Sequence, residues 1–450
     1  MKLTNLNLAE ILASSLSSIS EIDTGIALSP EQFKFAIIKK MESHSLVNHL
    51  NPGHCVVLLK NNSIEFFIDF LALYFLGVTV IPLDESQHAD DIERVVLFSR
   101  ANLIIDSTGT HKRYTESQSE LVGMAIVLFT SGTTGTPKGV LISKKALVLK
   151  LETLQQQISS AEIKNSLCFL PTFFGHGLIC NSLFPLFYAE NFYIAQKMTI
   201  EFAGNFSHFI SDKNITFFSS VPGHWEFILG FSDEIKNDSL KRVHCASAPL
   251  KKEKIKHILS WLKLVSFYDV YGATEMLGWF ACRKIESPTE DSVFDQFWNC
   301  EHKFSNEREL LIKSPYMFSG YWREKVSTLD GFFETGDLFE AHKLVGRSKN
   351  IINKNGIKIN TDELNSAYLR SNILVDVATF PIDDAYKGED IGVFIVLKKD
   401  KTIEAFRKYC NDHLSILHYP SRIIPTESIP KNSRNKTSLA LLKKIFMDIV

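Results

Sequence analysis

Short apolar runs alternate with helical stretches through the first part of the chain. A helical stretch at 63–76 lies between two β-branched runs at 55–59 and 78–83, and further runs follow at 102–106 and 125–130. Alternation of this kind predicts βαβ units and a mostly parallel sheet. Comparable apolar runs continue to residue 272, in the segments SLCFLP, NFYIA, ITFFSSVP, RVHCASAP and LVSFYDVYG.

The pattern changes after residue 285. Shorter strands are predicted in ELLIKS and LFEAHKLVG, with tight turns between them, and a polar, lysine-rich stretch follows at 346–356. We therefore predict an α/β fold with a large N-terminal body of mostly parallel sheets and helices at 1–346, and a small α+β C-terminal domain at 347–450. The smaller part is predicted to contain helices at 361–371 and 402–414, strands near 375–380 and 391–397, and an amphipathic helix after Thr437.

One segment, residues 66–84, is apolar enough to raise the question of a membrane span. It contains Asp69, Gly77 and Pro82, and its pattern changes from helical to β-branched after the glycine. A bilayer span needs about 18 or more uninterrupted apolar residues. A helix, a glycine turn and a short strand therefore explain the segment better, and we expect no membrane span.

Composition narrows the class of protein. Of 450 residues 45% are hydrophobic and 22% are charged, as in ordinary globular proteins, and the net charge of −2 predicts no electrostatic attraction to nucleic acid or an acidic membrane. The chain starts without the basic, apolar and cleavable segments of a signal peptide. The seven cysteines are scattered and form no CxxC pair, which indicates reduced thiols and a cytoplasmic protein.

The segment IVLFTSGTTGTPKGVLIS, residues 126–143, is the most informative. Its small residues let backbone N–H groups approach a phosphate, its hydroxyls add donors, and one lysine, Lys138, supplies charge. Lys138 stands between Pro137 and Gly139, which excludes a Walker A loop, where Ser or Thr must follow the lysine. We predict a phosphate-binding loop; the alternative is an ordinary surface loop.

The residues 130–140, TSGTTGTPKGV, resemble the phosphate loop of the AMP-forming adenylating enzymes, which include acyl- and aryl-CoA synthetases, peptide-synthetase adenylation domains and luciferases. Further motifs of that family follow in the expected order. They are ASAPL (246–250), VYGATE (270–275), SGYW (319–322), ETGDL (334–338), GRSKNIINKNGIKIN (346–360) and PKNSRNKTS (430–438).

The resemblance implies that an acid is activated as acyl-AMP with ATP and Mg²⁺. It implies that Glu275 binds the metal and that Lys436, Glu275, Thr274 and Lys138 serve catalysis. It also implies a mobile C-terminal domain that rotates at Lys349 between two half-reactions. The implied nucleotide-binding residues are Thr130, Ser131, Gly132, Thr133, Thr134, Gly135, Ala248, Tyr271, Gly272, Asp337 and Arg347.

Each implied role has a plainer alternative. Tyr271 alone is more often a core residue, Glu275 alone a solvated one, and Asp337 a turn or capping residue. Lys436 is singled out only by its spacing from Pro430, but one ammonium between a carboxylate and an α-phosphate would offset their repulsion. Asn435 and Asn432 stand where the family usually has Gly and Thr, so a non-catalytic relative that binds ATP or an acyl group stays open.

The acid and the acceptor are less defined. In LPTFFGHGL (170–178) Phe174 aligns with the mouth of the family's acyl site and His176 follows, with Ala246 and Ser247 as further substrate residues. The segment lacks the Asp expected for amino acids, which favours a fatty, aryl or other non-amino acid. The acceptor is the thiol of coenzyme A or of carrier-protein phosphopantetheine, or a non-thiol group such as an amine. The aromatic and Met residues that either line an apolar pocket or belong to the core are Phe217, Phe218, Trp225, Met276 and Trp279.

Overall fold

The computed structural model describes residues 15–46, 49–85, 89–130, 138–235, 239–247, 250, 252–287, 294–306, 308–324, 331–340, 342–347, 351–429 and 439–449. The strands are β1 (Ser18–Glu21), β2 (Ala27–Leu28), β3 (Cys55–Leu59), β4 (Thr79–Leu83), β5 (Leu103–Asp106), β6 (Gly109–Lys112), β7 (Met124–Thr130), β8 (Lys138–Ser143), β9 (Asn165–Cys168), β10 (Asn191–Ile194), β11 (Phe217–Ser220), β12 (Arg242–Ala246), β13 (Ser266–Ala273), β14 (Gly278–Lys284), β15 (Gln296–Phe297), β16 (Glu301–Phe304), β17 (Glu309–Lys313), β18 (Gly320–Tyr321), β19 (Phe333–Glu340), β20 (Lys343–Arg347), β21 (Ile351–Lys354), β22 (Ile357–Asn360), β23 (Leu374–Asp384), β24 (Gly388–Leu397) and β25 (Arg422–Pro425).

Helices connect and cover these strands. They are α1 (Pro30–Leu46), α2 (Ile64–Phe75), α3 (Ala89–Ser99), α4 (Lys144–Gln157), α5 (Phe184–Tyr188), α6 (Ile200–Gly204), α7 (Phe206–Asp212), α8 (His224–Phe231), α9 (Lys252–Leu262), α10 (Thr361–Leu369), α11 (Ile403–His413) and α12 (Leu439–Ile449), with a π-helical segment at His176–Leu183. Among the described helices, none is long and apolar enough to cross a membrane.

Two large sheets carry the body of the molecule, and their centres are parallel as predicted. The first has the order β18-β8-β7-β4-β3-β5-β6, with parallel pairing from β7 to β5. The second has the order β15-β14-β13-β12-β11-β9-β10-β1-β2, with parallel pairing from β13 to β1. Their edges are antiparallel, because hairpins such as β7–β8 and β13–β14 close each sheet.

Helix α2 explains why residues 66–84 look membrane-like. Nearly every residue of α2 is buried, and β4 then enters the first sheet beside β3. A helix that is apolar on all sides belongs inside a protein core, where its neighbours bury every face. The predicted helix, glycine turn and strand are confirmed.

The same helix buries a carboxylate, Asp69. Lys60 lies 2.7 Å from it, Lys40 3.1 Å and His44 3.2 Å. Burial by itself would raise the pKa of Asp69, but the hydrogen bonds from His44 and Lys60 and the nearby lysine charges outweigh it and lower the pKa to about 2. The carboxylate therefore stays ionised and ties α1 and the end of β3 to α2.

A four-stranded antiparallel sheet, β16-β17-β19-β20, follows the body strands. The prediction of one strand across 338–346 was wrong: β19 ends at Glu340 and β20 begins at Lys343, so the segment turns back on itself. The alternative placement of Asp337 in a turn or a helix cap was wrong too, since it lies within β19. Pairing with β17 on one side and β20 on the other holds this strand in the middle of the sheet.

The last sheet has the order β22-β21-β24-β23, and β25 pairs parallel with β24. The β23–β24 hairpin is longer than predicted, reaching Asp384 and starting again at Gly388. Its two faces carry separate apolar clusters, one around Tyr368 and Phe406 and the other around Phe380 and Phe446. These strands and helices α10 to α12 form the predicted α+β part, and the predicted fold class is confirmed.

Candidate active site

The predicted phosphate loop joins β7 to β8. Thr130 pairs with Lys138 across this hairpin, so the seven residues 131–137 connect two antiparallel strands whose ends lie side by side. Of these seven, the predicted binding residues lie outside the described residues; they are Ser131, Gly132, Thr133, Thr134 and Gly135.

Lys138 begins β8 and meets a residue that the sequence prediction did not select. Its Nζ lies 3.6 Å from the centre of the Tyr321 ring, and the Tyr321 hydroxyl donates to Glu275 Oε1 at 2.7 Å. Tyr321 reaches this place because β18 pairs with β8, with Tyr321 opposite Val140. The motif SGYW was recognised in the sequence, and its tyrosine is the link between the predicted lysine and the predicted metal ligand.

Burial is the main reason that the pKa of Tyr321 is raised, and the charge and hydrogen bond of Glu275 raise it further. The protonated phenol is therefore favoured. A protonated phenol donates to the carboxylate, so one directed hydrogen bond orients Glu275.

Glu275 sits on a tight turn that follows β13. The turn covers Thr274–Met276, and Leu277 and Gly278, the first residue of β14, follow with φ of 56° and 95°. Gly272 allows the close return, since a Cβ on it would lie 2.5 Å from the carbonyl oxygen of Gly278. The predicted importance of Gly272 thus has a structural reason: β14 passes too near for a side chain.

Tyr271 and Asp337 form a second polar pair. The Tyr271 hydroxyl donates to Asp337 Oδ2 at 2.5 Å, and the exposed fractions of the two residues are 8% and 1%. The backbone of Asp337 is held as well, because its N–H donates to Thr335 Oγ1 at 3.1 Å. The Tyr271 ring packs against Phe280, Phe294 and Phe339. Stacking of Tyr271 on adenine stays a prediction.

The predicted acyl-site residues converge around His176, at the start of the π-helical segment. His176 Nε2 lies 2.7 Å from Ser219 Oγ, and Nδ1 lies 3.3 Å from Ser247 Oγ. Burial and the neighbouring His224 lower the pKa of His176 to about 3, so the ring is neutral. A neutral imidazole has one donor and one acceptor nitrogen, which matches one hydroxyl on each side. Ser219, which the sequence prediction missed, completes this chain.

Ala246 ends β12 immediately before Ser247, whose φ of 80° turns the chain out of the sheet. Phe174 packs against Phe173, with ring centres 4.2 Å apart. The other aromatic and Met candidates for an apolar pocket belong to the core, where each is at most 1% exposed; they are Phe217, Phe218, Trp225, Met276 and Trp279.

A buried cation lies behind this site. Lys150, on α4, is fully buried, its Nζ donates to the carbonyl oxygen of Trp279 and lies 4.3 Å from the centre of the Tyr316 ring. Burial lowers the pKa of Lys150 to about 8, although the nearby thiols of Cys180 and Cys300 act the other way. In the sequence this lysine belongs to an ordinary helical pattern, so nothing marked it as interior.

The structure gives no side-chain position for several predicted site residues. Three of them, Ala248, Lys349 and Lys436, lie outside the described residues. Thr130 and Arg347 are placed by their backbone pairing alone, Thr130 with Lys138 and Arg347 with Asp337. Their roles stay predictions.

The described groups fit a metal-bound nucleotide. The ammonium of Lys138 and the half-buried carboxylate of Glu275 both contact Tyr321. The ammonium suits a phosphate and the carboxylate suits a metal ion bound to that phosphate. Groups of three or more His, Cys, Asp or Glu able to hold a metal by themselves are absent from the part of the chain that the structure describes. Mg²⁺ commonly takes one or two carboxylates and completes its shell with phosphate and water, so one glutamate is enough.

Comparison with known proteins agrees with this geometry. Residues 115–322 match the family model described as AMP-binding enzyme. An oxalate–CoA ligase of Arabidopsis thaliana is 25% identical over 89% of this chain and 90% of its own length.

Solved structures of two proteins share the fold over nearly the whole chain. The o-succinylbenzoate CoA synthetase of Bacillus subtilis, as a double mutant bound with its product analogue OSB-NCoA, superposes with a TM-score of 0.84 at 18% identity over 98% of both chains. In complex with ATP and magnesium ion, the same synthetase gives 0.66 at 18% identity and the same coverage. The amide bond synthetase McbA of Marinactinospora thermotolerans gives 0.81 at 19% identity, over 98% of this chain and 99% of its own.

The motifs, the fold and these matches support one class of protein for this chain, the AMP-forming adenylating enzymes. The curated relatives that it matches are named as CoA ligases and acyl-CoA synthetases, the branch that the sequence motifs predicted.

Proposed function

We propose that this protein is an AMP-forming acid–thiol ligase that activates a carboxylic acid as acyl-AMP, releases pyrophosphate and transfers the acyl group to coenzyme A. The observation that carries the proposal is the Lys138–Tyr321–Glu275 arrangement at the end of the predicted phosphate loop. It provides one positive group over the face of the Tyr321 ring and one carboxylate at the Tyr321 hydroxyl. Lys138 can offset the charge of a triphosphate directly, and Glu275 can do so through a bound cation.

Lys138 and Glu275 would hold ATP and Mg²⁺, with Thr274 beside them, and Asp337 would accept the ribose hydroxyls. Bound Mg²⁺ supplies positive charge that the departing pyrophosphate needs. Lys436 would bring its ammonium between the acid and the α-phosphate. The proposed organisation has a body at 1–346 and a smaller domain at 347–450 that moves about Lys349, and these site roles and boundaries are part of the proposal.

We propose a fatty, aryl or other non-amino acid as the substrate. The described neighbours of His176 are hydroxyls and aromatic rings, with Trp279 at a ring-centre separation of 5.4 Å. An α-ammonium group there would face a neutral imidazole and an indole, and it would lose the solvation that a carboxylate partner normally replaces. Two relatives name their acid, oxalate in one and OPC-8:0 in the other, and neither name is that of an amino acid.

The solved structures that this chain resembles favour a thiol or an amine as the acceptor. The superposition with the Bacillus subtilis synthetase is much closer for its product-analogue complex than for its ATP complex. The close superposition with McbA, an amide bond synthetase, favours an amine as the second candidate acceptor. Coenzyme A stays the first, because the curated relatives are CoA ligases, and carrier-protein phosphopantetheine ends in the same thiol.

The test is pyrophosphate release with hydroxylamine as an artificial acceptor, across fatty, aryl, dicarboxylic and amino acids. Activity with one class, lost in Lys436→Ala and retained in the nearby Lys443→Ala, would support acid activation. Products formed with coenzyme A, phosphopantetheinyl carrier protein and simple amines would then identify the acceptor. ATP binding without pyrophosphate release from any acid would instead identify a non-catalytic relative.

We also propose a cytoplasmic location. All seven cysteines are free, and six of them are buried. Free thiols persist in reducing compartments.

A further inference from the structure

An apolar groove lies on the body of the molecule, between α2, α4 and α5. Its volume is about 280 Å³, and the described residues that line it are not residues of the candidate active site. Phe70, Leu147 and Leu183 line it and are at most 2% exposed, whereas Val148 at its edge is 43% exposed. An apolar cavity of about 150 Å³ is large enough to bind benzene. The groove therefore has room for several apolar side chains.

The first described residues of the chain run beside this groove. Ser17 is fixed on α5, because its backbone N and its Oγ donate to the carbonyl oxygen of Leu186 at 2.9 Å and 3.0 Å. Just before this anchor in the sequence, Ser15 lines the groove itself. The chain that precedes Ser15 is therefore tethered at the edge of the groove, and residues 1–14, which lie outside the described residues, start from there.

The sequence just before the groove, NLNLAEILAS, has the pattern of a segment that covers an apolar surface. Leu8 is followed three and four residues later by Ile11 and Leu12, a spacing that predicts an amphipathic helix with all three on one face. Asn7, with Glu10 three residues further on, is a typical start of such a helix. Three apolar side chains on one face match a groove that has room for several.

The walls of the groove continue from both sides of the candidate active site. Helix α4 follows β8, which begins at Lys138, and α5 follows the π-helical segment, which begins at His176. A segment that fills the groove would therefore rest on the helices that lead away from the predicted phosphate loop and from the predicted acyl site.

We propose that residues 1–14 occupy this groove, with Leu8, Ile11 and Leu12 against its apolar walls, and so hold α4 and α5 in place. A free lipid tail or a second copy of the protein would suit the same apolar lining. The N-terminal segment is tethered at the edge of the groove, however, which gives it an effective concentration of roughly millimolar. It therefore fills the groove ahead of a partner that has to diffuse to it.

Photocrosslinking in the full chain identifies the occupant. The photoreactive residue p-benzoylphenylalanine replaces Val148, and the irradiated protein is digested and analysed by mass spectrometry. We expect crosslinks from position 148 to peptides within residues 1–14 of the same chain. The matched control is the same replacement at Val122, which is 57% exposed and does not line the groove, and it should give no crosslink to residues 1–14. A crosslinked dimer, a lipid adduct, or no crosslink from position 148 to residues 1–14 would overturn the proposal.

Amide hydrogen exchange then measures the effect on the helices. Leu12→Asp puts a charge on the predicted apolar face, and we expect exchange in peptides covering α4 and α5 to rise about tenfold, the factor for one leucine no longer buried. Ala13→Asp adds the same charge on the opposite face of the predicted helix and should match wild type. Unchanged exchange in a folded Leu12→Asp protein, or an equal rise in both variants, would contradict the proposal. Neither measurement needs enzymatic activity, so failure of the proposed function would leave both results interpretable.

Discussion

The bond between Tyr321 and Glu275 allows a quantitative test of the site. Tyr321→Phe removes only the hydroxyl that donates to Glu275 Oε1 at 2.7 Å and keeps the ring that Lys138 approaches. A hydrogen bond to a charged group contributes about 1.5–3 kcal/mol. Both residues are half-buried, so solvent replaces part of the loss and the lower end, about 1.5 kcal/mol, applies. That energy corresponds to roughly a tenfold change in rate.

The assay is hydroxamate formation at saturating acid with varied Mg²⁺-ATP. We expect kcat/KM for ATP to fall about tenfold while the melting temperature stays within about 2 °C of wild type. Tyr316→Phe is the matched control: its hydroxyl donates to the Trp298 carbonyl oxygen in the core, so it should lower stability and leave kcat/KM for ATP unchanged. An unchanged kcat/KM in Tyr321→Phe, or an equal loss in both variants, would refute the reasoning.

Three further outcomes are expected. Gly272→Ala places a Cβ 2.5 Å from the Gly278 carbonyl oxygen, so hydroxamate formation should fall at least a hundredfold and the melting temperature should drop in a thermal scan; near-normal activity would contradict the close packing. Asp69→Asn removes the buried carboxylate that pairs with the half-buried ammonium of Lys60 and should cost about 3 kcal/mol in urea unfolding. Because the pKa of Asp69 is lowered to about 2 when folded, this contribution is present above about pH 4 and is lost as the pH falls towards 2, and the variant should lack that dependence. Lys150, with its pKa lowered to about 8, favours the neutral form when folded, so wild type should gain stability relative to Lys150→Met as the pH rises from about 8 to 10. A constant difference between the two proteins over that range would show that Lys150 is not desolvated.

The sequence predicted most elements that depend on local pattern. The sequence predicted the strands at 55–59 and 78–83 and the helix between them. Apolar positions repeat differently in a strand and in a helix, and a few residues are enough to distinguish the two repeats. The antiparallel edges of the two large sheets were not predicted, and neither was the break between β19 and β20. The partner of a strand depends on register with segments far away in the chain. The sequence of one strand alone therefore does not show which strand lies beside it.

The same distinction applies to the candidate site. Motif residues such as Glu275 and Asp337 could be named from the sequence, since the family resemblance fixes their positions. Tyr321 and Ser219 could not, because their partners lie 46 and 43 residues away and meet them only through sheet packing. Lys150 carried no signal at all, as a lysine within an ordinary helical pattern has no mark of burial.

The separation along the chain of the groups that form the candidate site has a consequence for how the enzyme is made. Tyr271 and Asp337 are 66 residues apart, and β18 must come back to pair with β8, which was synthesised long before it. Contacts between distant segments form late, since closing the intervening loops costs entropy first. A chain still on the ribosome therefore lacks the Tyr271–Asp337 pair until β19 has emerged, and a nucleotide bound as we propose would not assist the folding of the earlier strands.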